Sequence, residues 1–186
     1  MKRAAALTMF FPEREQEDAN HWLRPALMSS EGVEWYTPPV IRAAVVDALG
    51  GRVDLDPCAD PGRTFPAARH FTEEDNGLAH PWVGSVYMNP PYGRGITAWT
   101  TKLRDELTTG WVTEAVALLP ARVDTAWWHD LDPATVCFIR GRLKFSGYEC
   151  SAPFPSAAVY FGANHARFRH AFSHLGLLYA SLDGGH

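Results

Sequence analysis

The sequence predicts an α/β fold: a sheet of buried strands with helices on both faces. Three observations carry that expectation. Strand-length segments recur at 53–56, 85–88, 114–119, 135–139 and 157–161, and the one at 114–119 is apolar almost throughout. Between them run segments whose apolar residues return every three or four positions, the spacing of one helix face. Pro, Gly and Asn stand at the junctions, where turns need them. The bulk figures agree, since 186 residues with 46% hydrophobic and 20% charged side chains suit an ordinary globular chain.

Residues 1–33 read as an N-terminal extension: 13–18 is highly charged, and Pro12 and Pro25 interrupt any helix. The remainder, 34–186, reads as a single domain with no room for a separate target-recognition domain. Thr37 ahead of Pro38 and Pro39 suits the start of a helix bearing Ile41, Ala44, Val45 and Ala48 on one face, and Gly50-Gly51 ends it. Segment 53–56 is a short strand closed by Pro57. Residues 57–69, rich in Pro, Gly and Arg, read as a loop or a poor helix. The strand at 85–88 stops at Asn89-Pro90-Pro91-Tyr92. Ile96, Trp99, Leu103 and Leu107 keep helical spacing. After the strand at 114–119 come a short helix at 124–130, strands at 135–139 and 157–161 with a sheet-edge extension at 142–145, and a terminal helix over 164–175.

Composition excludes several functions. No apolar run approaches the ~18 residues of a membrane span, and the apolar part of residues 1–7 is too short for a secretory signal. Three scattered cysteines, Cys58, Cys137 and Cys150, make neither a disulfide framework nor a zinc site, and they fit a reducing cytoplasm. His170 and His174 stand four apart but lack an HExxH frame, so they read as a solvated helix face and no metal is expected. The net charge is −4, so a nucleic-acid surface has to be local. Residues 120–170 carry six basic and four acidic side chains, among them Arg122, Arg140, Arg142 and Lys144.

The sharpest chemical signal is Asn89-Pro90-Pro91-Tyr92 at a strand end, where open α/β sheets bind ligands. Two prolines stiffen the turn and remove donors. The Asn89 side-chain oxygen and the Pro90 carbonyl then offer two acceptors, with Tyr92 as an aromatic plate beside them. That combination suits a planar group carrying NH₂, such as a nucleobase rotated out of its stack.

The motif resembles that of amino-group methyltransferases using S-adenosylmethionine. Glu34-Trp35-Tyr36-Thr37-Pro38-Pro39, Asp54-Leu55-Asp56-Pro57-Cys58-Ala59, Asp75-Asn76-Gly77-Leu78, Tyr87-Met88-Asn89-Pro90-Pro91-Tyr92-Gly93, Leu119-Pro120-Ala121-Arg122, Gly141-Arg142-Leu143-Lys144-Phe145 and Pro153-Phe154-Pro155-Ser156 occur in that order. Together they are similar to the phage-type DNA N6-adenine methyltransferases, across roughly residues 34–162. The resemblance implies a Rossmann-like methyltransferase fold: a mainly parallel seven-stranded sheet with helices on both faces and an antiparallel C-terminal hairpin. It implies S-adenosylmethionine as cofactor, held by Tyr36, Thr37, Pro38, Asp54, Asp56, Pro57, Asp75, Asn76, Leu78 and Asn89. It implies catalysis by Asn89, Pro90, Pro91 and Tyr92. Double-stranded DNA with a flipped base is the expected partner, met by Tyr92, Arg122, Arg140, Arg142, Lys144 and Phe145. A monomer or homodimer in the cytoplasm of a bacterium or a phage-infected host completes the expectation. RNA adenine, N4-cytosine and protein glutamine methylation share the acceptor geometry and stay open, as does a non-catalytic nucleic-acid-binding relative.

Overall fold

The structure, a computed structural model, describes residues 36–132, 135–144 and 152–181. Seven strands, β1 (Val53–Asp56), β2 (Ala67–His70), β3 (Gly84–Met88), β4 (Val112–Pro120), β5 (Thr135–Ile139), β6 (Ser156–Phe161) and β7 (Gly176–Ala180), form one sheet in the order β2-β1-β3-β4-β6-β5-β7. Among the described residues four α-helices accompany it: α1 (Pro39–Ala48), α2 (Ile96–Thr109), α3 (Ala126–Leu131) and α4 (His165–Phe172). α1 packs against α4, and α2 against α3. Residues 115 to 120 of β4 are all buried, as a central strand covered on both faces requires.

Strand direction corrects the expected topology. β2, β1, β3 and β4 pair in parallel. β6 is antiparallel to both β4 and β5, and β7 is antiparallel to β5. The sheet is therefore mixed rather than mainly parallel. At the C-terminal side the consecutive strands β5 and β6 pair antiparallel, and β7 adds a second antiparallel neighbour on the other side of β5. Direction was hidden because buried apolar runs carry no record of which way they enter the sheet. The segment carrying α3 sets β5 two places beyond β4, and β6 returns into the gap between them. β1 through β5 all point the same way, so their C-terminal ends share one edge of the sheet.

Two strands arise where none was expected. β2 is an edge strand with a largely exposed pattern, so it lacks the apolar signature of its neighbours. β7 begins directly after the expected terminal helix (164–175), in a segment for which no element was expected. α4 stops at Phe172, and Gly176 approaches Phe138 so closely that a Cβ there would overlap the Phe138 carbonyl oxygen. Residues 142–144 form no strand, and residue 145 lies outside the described residues. Pro38, not Thr37, is the N-cap residue of α1, and no side chain caps that helix. The Thr37 hydroxyl turns toward the sheet instead.

A polar lock at the opposite end of the sheet fixes the α1–α4 layer. Arg167 on α4 donates through Nε to the Ala48 carbonyl (2.6 Å) and through Nη2 to Glu114 on β4 (2.6 Å). The Tyr160 hydroxyl donates to the same carboxylate (2.9 Å). Glu114 thereby holds three elements in one register, a rigid base for the loops at the other edge.

Candidate active site

The chain leaves β1 for β2 on one side and then crosses back to β3 on the other. This reversal opens a crevice beyond the C-terminal ends of β1 and β3. A cavity of about 420 Å³ lies there, within the usual range for small-molecule sites. One wall is the exit of β3, Asn89 through Tyr92. A second is the exit of β1, Asp56 to Asp60. The loop at 72–77 forms a third, and Thr37 with Arg42 on α1 forms a fourth. Gly77 lets the third wall close on the second, since a Cβ there would overlap the Pro57 carbonyl oxygen. The Trp82 indole donates to the Gly77 carbonyl (2.9 Å), and its ring stacks on Trp99.

Asp56 is the buried acid of the cavity wall. It is 4% exposed, and one carboxylate oxygen accepts from the Cys58 N–H (3.0 Å). Burial pushes its carboxyl up to about 7; the Cys58 N–H opposes that rise and the nearby Asp60 charge adds to it. Burial also raises the Cys58 thiol well above its ordinary value, with Asp56 adding to the effect, so Cys58 behaves as a packed side chain and not a nucleophile. Arg42 brings the opposite charge. Its Nη1 donates to the Thr64 carbonyl (2.8 Å) and its Nη2 to the Thr37 carbonyl (3.4 Å), while Nε is a buried donor with no hydrogen-bond partner.

The motif at the end of β3 is more closed than the sequence suggests. Tyr92 is 8% exposed and packs edge to face on Phe154, with ring centres 5.2 Å apart. Its hydroxyl donates to Asn89 Oδ1 (2.9 Å) and also lies 3.3 Å from the Leu118 carbonyl. The expected open plate is therefore folded in, and the expected acceptor already receives a proton donor. Asn89 Nδ2 donates to Thr37 Oγ1 (3.4 Å), which lies 2.7 Å from the Tyr87 hydroxyl. A narrow cleft of about 50 Å³ lies on Tyr92 as well, with Arg122, Trp127 and Phe154 among its walls. Tyr92 thus borders both spaces.

Of the site residues expected from sequence, Thr37, Asp56, Pro57, Asn76, Asn89, Pro90, Pro91 and Tyr92 meet around the larger cavity. Tyr36, Pro38, Asp54, Asp75 and Leu78 do not line it. Asp54 points to the start of β3: one oxygen accepts from the Ser85 N–H (2.9 Å) and hydroxyl (3.0 Å), and the other pairs with Arg52 (2.8 Å). Donation from the Ser85 N–H holds its carboxyl below the usual range. Asp75 is likewise occupied, accepting from the Thr72 N–H and hydroxyl (both 2.9 Å), which lowers its carboxyl. Arg122 reaches the narrow cleft. Arg140, Arg142 and Lys144 are exposed after β5, on the cavity's edge of the sheet, about three strand spacings (~14 Å) from β3. Phe145 lies outside the described residues.

Sequence reasoning missed Arg42, Asp60, Phe65, Glu73 and Trp99, all on the cavity wall. Arg42 had one available signal: a lone cation in a helix otherwise apolar through its first two turns. Phe65 stacks on Tyr87 (4.0 Å) from within a segment that reads as featureless loop. Among the described residues no group of His, Cys, Asp and Glu could hold a metal, and no helix is long and apolar enough to cross a membrane.

An α/β sheet with a cavity at its topological switch point, an acid at one strand end and an Asn-Pro-Pro-Tyr turn at the next, is consistent with the methyltransferase class of fold. The chain belongs to the DNA N-6-adenine-methyltransferase (Dam) family, which it matches over residues 25–159, well over half its length. The protein is accordingly an enzyme of DNA N6-adenine methylation. A comparison with curated proteins gives no match.

Proposed function

We propose that the protein transfers a methyl group from S-adenosylmethionine to the N6 amino group of adenine flipped out of duplex DNA, by direct displacement. The observation that carries this reading is the placement of Asn89 and Tyr92 on one wall of a switch-point cavity whose other walls carry Asp56 and Arg42. The cavity's donor set fits the cofactor. Asp56 and Asp60 suit its ammonium, the Arg42 guanidinium with its buried, unpartnered Nε suits its carboxylate, and Phe65 and Trp99 offer rings for its base. When bound, the cofactor supplies an electrophilic methyl on a sulfonium.

The protein's own residues do the rest. Adenine N6 is a poor nucleophile because its lone pair is delocalised into the ring. Asn89 Oδ1 and the Pro90 carbonyl accept its two N–H bonds, which draws the nitrogen toward tetrahedral geometry and localises the lone pair; the new N–C bond would replace the methyl–sulfur bond, and N6 then releases one of these two protons to solvent. The rigid Pro90-Pro91 turn fixes these acceptors before the substrate arrives. For the base to enter, Tyr92 gives up its hydrogen bond to Asn89, and its ring then stacks on the purine. Arg140, Arg142 and Lys144 on the same sheet edge neutralise phosphates of the flanking duplex.

Incubation with radiolabelled cofactor and, separately, duplex DNA, RNA and protein tests the reading. Label in DNA adenine, lost in Asn89→Ala, is the expected result. Label retained in cytosine, RNA or nuclease-treated protein overturns it in favour of another amine or amide acceptor.

A further inference from the structure

Asn89 can serve as an acceptor only if its carboxamide faces the right way. The group is nearly symmetric in shape, yet a half-turn replaces Oδ1 with Nδ2, and an NH₂ facing the substrate's NH₂ is donor against donor. A device is needed to choose between the two orientations. The structure contains one that the cofactor-binding and base-binding roles do not use.

Tyr87 is the penultimate residue of β3, is 1% exposed, and stacks on Phe65. Its hydroxyl lies 2.7 Å from Thr37 Oγ1. Thr37 is itself 8% exposed, and its Oγ1 accepts from Asn89 Nδ2 at 3.4 Å. Either hydroxyl can donate across that contact; when Thr37 donates to the Tyr87 oxygen, Thr37 presents a lone pair to Asn89, which attracts the NH₂ side of the carboxamide and leaves Oδ1 on the far side. In the structure that far side is where the Tyr92 hydroxyl donates, at 2.9 Å. The Tyr92 O–H therefore marks the direction from which an N–H donor meets Asn89. Thr37 lines the cavity, and its hydroxyl spans Tyr87 and Asn89 rather than capping α1.

We propose that Tyr87 and Thr37 are positioning residues that set the carboxamide orientation of Asn89, so that its oxygen and not its nitrogen meets the substrate amine. The inference rests on the proposed role of Asn89 in accepting from that amine. It assigns a function to two side chains that touch neither reacting atom.

Shape and hydrogen bonding separate cleanly at Thr37. Thr37→Val keeps the shape and removes the hydroxyl; Thr37→Ser keeps the hydroxyl and removes a methyl. An orienting role predicts that kcat for DNA methylation falls about tenfold in Thr37→Val, the factor one net hydrogen bond is worth. It predicts less than about a threefold change in Thr37→Ser, on the same scale. A packing role predicts the reverse order. Cofactor affinity, measured by calorimetry, stays at the wild-type value in both variants; a fall in affinity confined to Thr37→Val assigns the hydroxyl to the cofactor and overturns the proposal.

A second measurement uses Asn89→Asp. A carboxylate has two equivalent oxygens and no wrong orientation, so the Thr37→Val penalty shrinks to within about twofold when both changes are combined, if one orienting hydrogen bond is what Thr37 supplies. An undiminished tenfold penalty in the double variant also overturns the proposal. A wild-type enzyme that does not methylate adenine defeats the proposed function itself. A wild-type enzyme that does, with Thr37→Val fully active, defeats only the orienting role.

Discussion

Replacing Asp56 with Asn tests the electrostatics of the cavity without altering its shape. Asp56 is 4% exposed, and burial raises its carboxyl to about 7, against 3.8 when unperturbed. The folded, empty protein therefore keeps a proton that the unfolded chain releases across that interval. Wild-type stability falls as pH rises from about 4 to 7, and the loss is complete above about 7. A shift of about three units at 1.36 kcal/mol each sets an upper limit of about 4 kcal/mol. With relaxation around the charge, about 2–4 kcal/mol is expected. Asn retains an acceptor for the Cys58 N–H and carries no charge. Thermal unfolding of the cofactor-free protein should thus show Asp56→Asn more stable than wild type at pH 8, by roughly 4–16 °C in Tm for a chain of this size. Below about pH 4, where Asp56 is protonated in both the folded and the unfolded state, the two should nearly coincide. Parallel pH curves, or a variant less stable at pH 8, would refute the reasoning. The same variant should lose affinity for S-adenosylmethionine, and wild-type affinity should climb as pH approaches 7 and flatten above it, because a cationic ligand favours the ionised carboxylate.

Three further outcomes follow from the same geometry. Asn89→Ala should lower methyl transfer about a hundredfold or more while leaving the unfolding temperature near wild type, in line with the loss of one preorganised group at a reacting centre; Tyr92→Ala should lower transfer likewise but also cost about 3–5 kcal/mol of stability, because its buried ring packs on Phe154; wild-type rates in both would contradict the site. Arg42→Met preserves the stem and removes the charge, and calorimetry should show S-adenosylmethionine binding weakened about tenfold to a hundredfold, the worth of a charge-assisted hydrogen bond. Gly77→Ala forces a methyl into the Pro57 carbonyl, so it should cost about 1–3 kcal/mol in denaturant unfolding and reduce cofactor affinity, because two cavity walls are pushed apart.

The sequence is most legible where burial and punctuation coincide. β1, β3, β4, β5 and β6 are each short segments bounded by turn residues, and α1 and α2 carry an apolar face with glycine at the end. The two strands that escaped, β2 and β7, are at the edges of the sheet, where one side of the backbone is unpaired and the outer face needs no apolar residues. Their neighbours, not their composition, make them strands. Strand direction escaped for a related reason: Val136 and Val159 are buried whichever way β5 and β6 run.

The site divides along similar lines. Residues at strand ends, Asp56 and Asn89, fall on the cavity as the position of their strands requires. Asp54, two residues before Asp56, was indistinguishable from it by residue type, and only its pairing with Ser85 and Arg52 shows it to be a tie between strands. Arg42 and Phe65 reach the cavity from a helix face and a loop through long-range packing, which a linear pattern does not record. The inward fold of Tyr92 is also a tertiary fact, set by Phe154 and the Leu118 carbonyl from distant parts of the chain.

The most direct measurement follows an isotopically labelled methyl group from S-adenosylmethionine into duplex DNA that carries no prior methylation, with digestion to nucleosides and mass spectrometry. The label is predicted in N6-methyldeoxyadenosine alone, and its appearance is predicted to cease in Asn89→Ala. Label in 4-methyldeoxycytidine, or undiminished N6-methyldeoxyadenosine without the Asn89 side chain, would contradict the claim that this turn grips the purine's amino group.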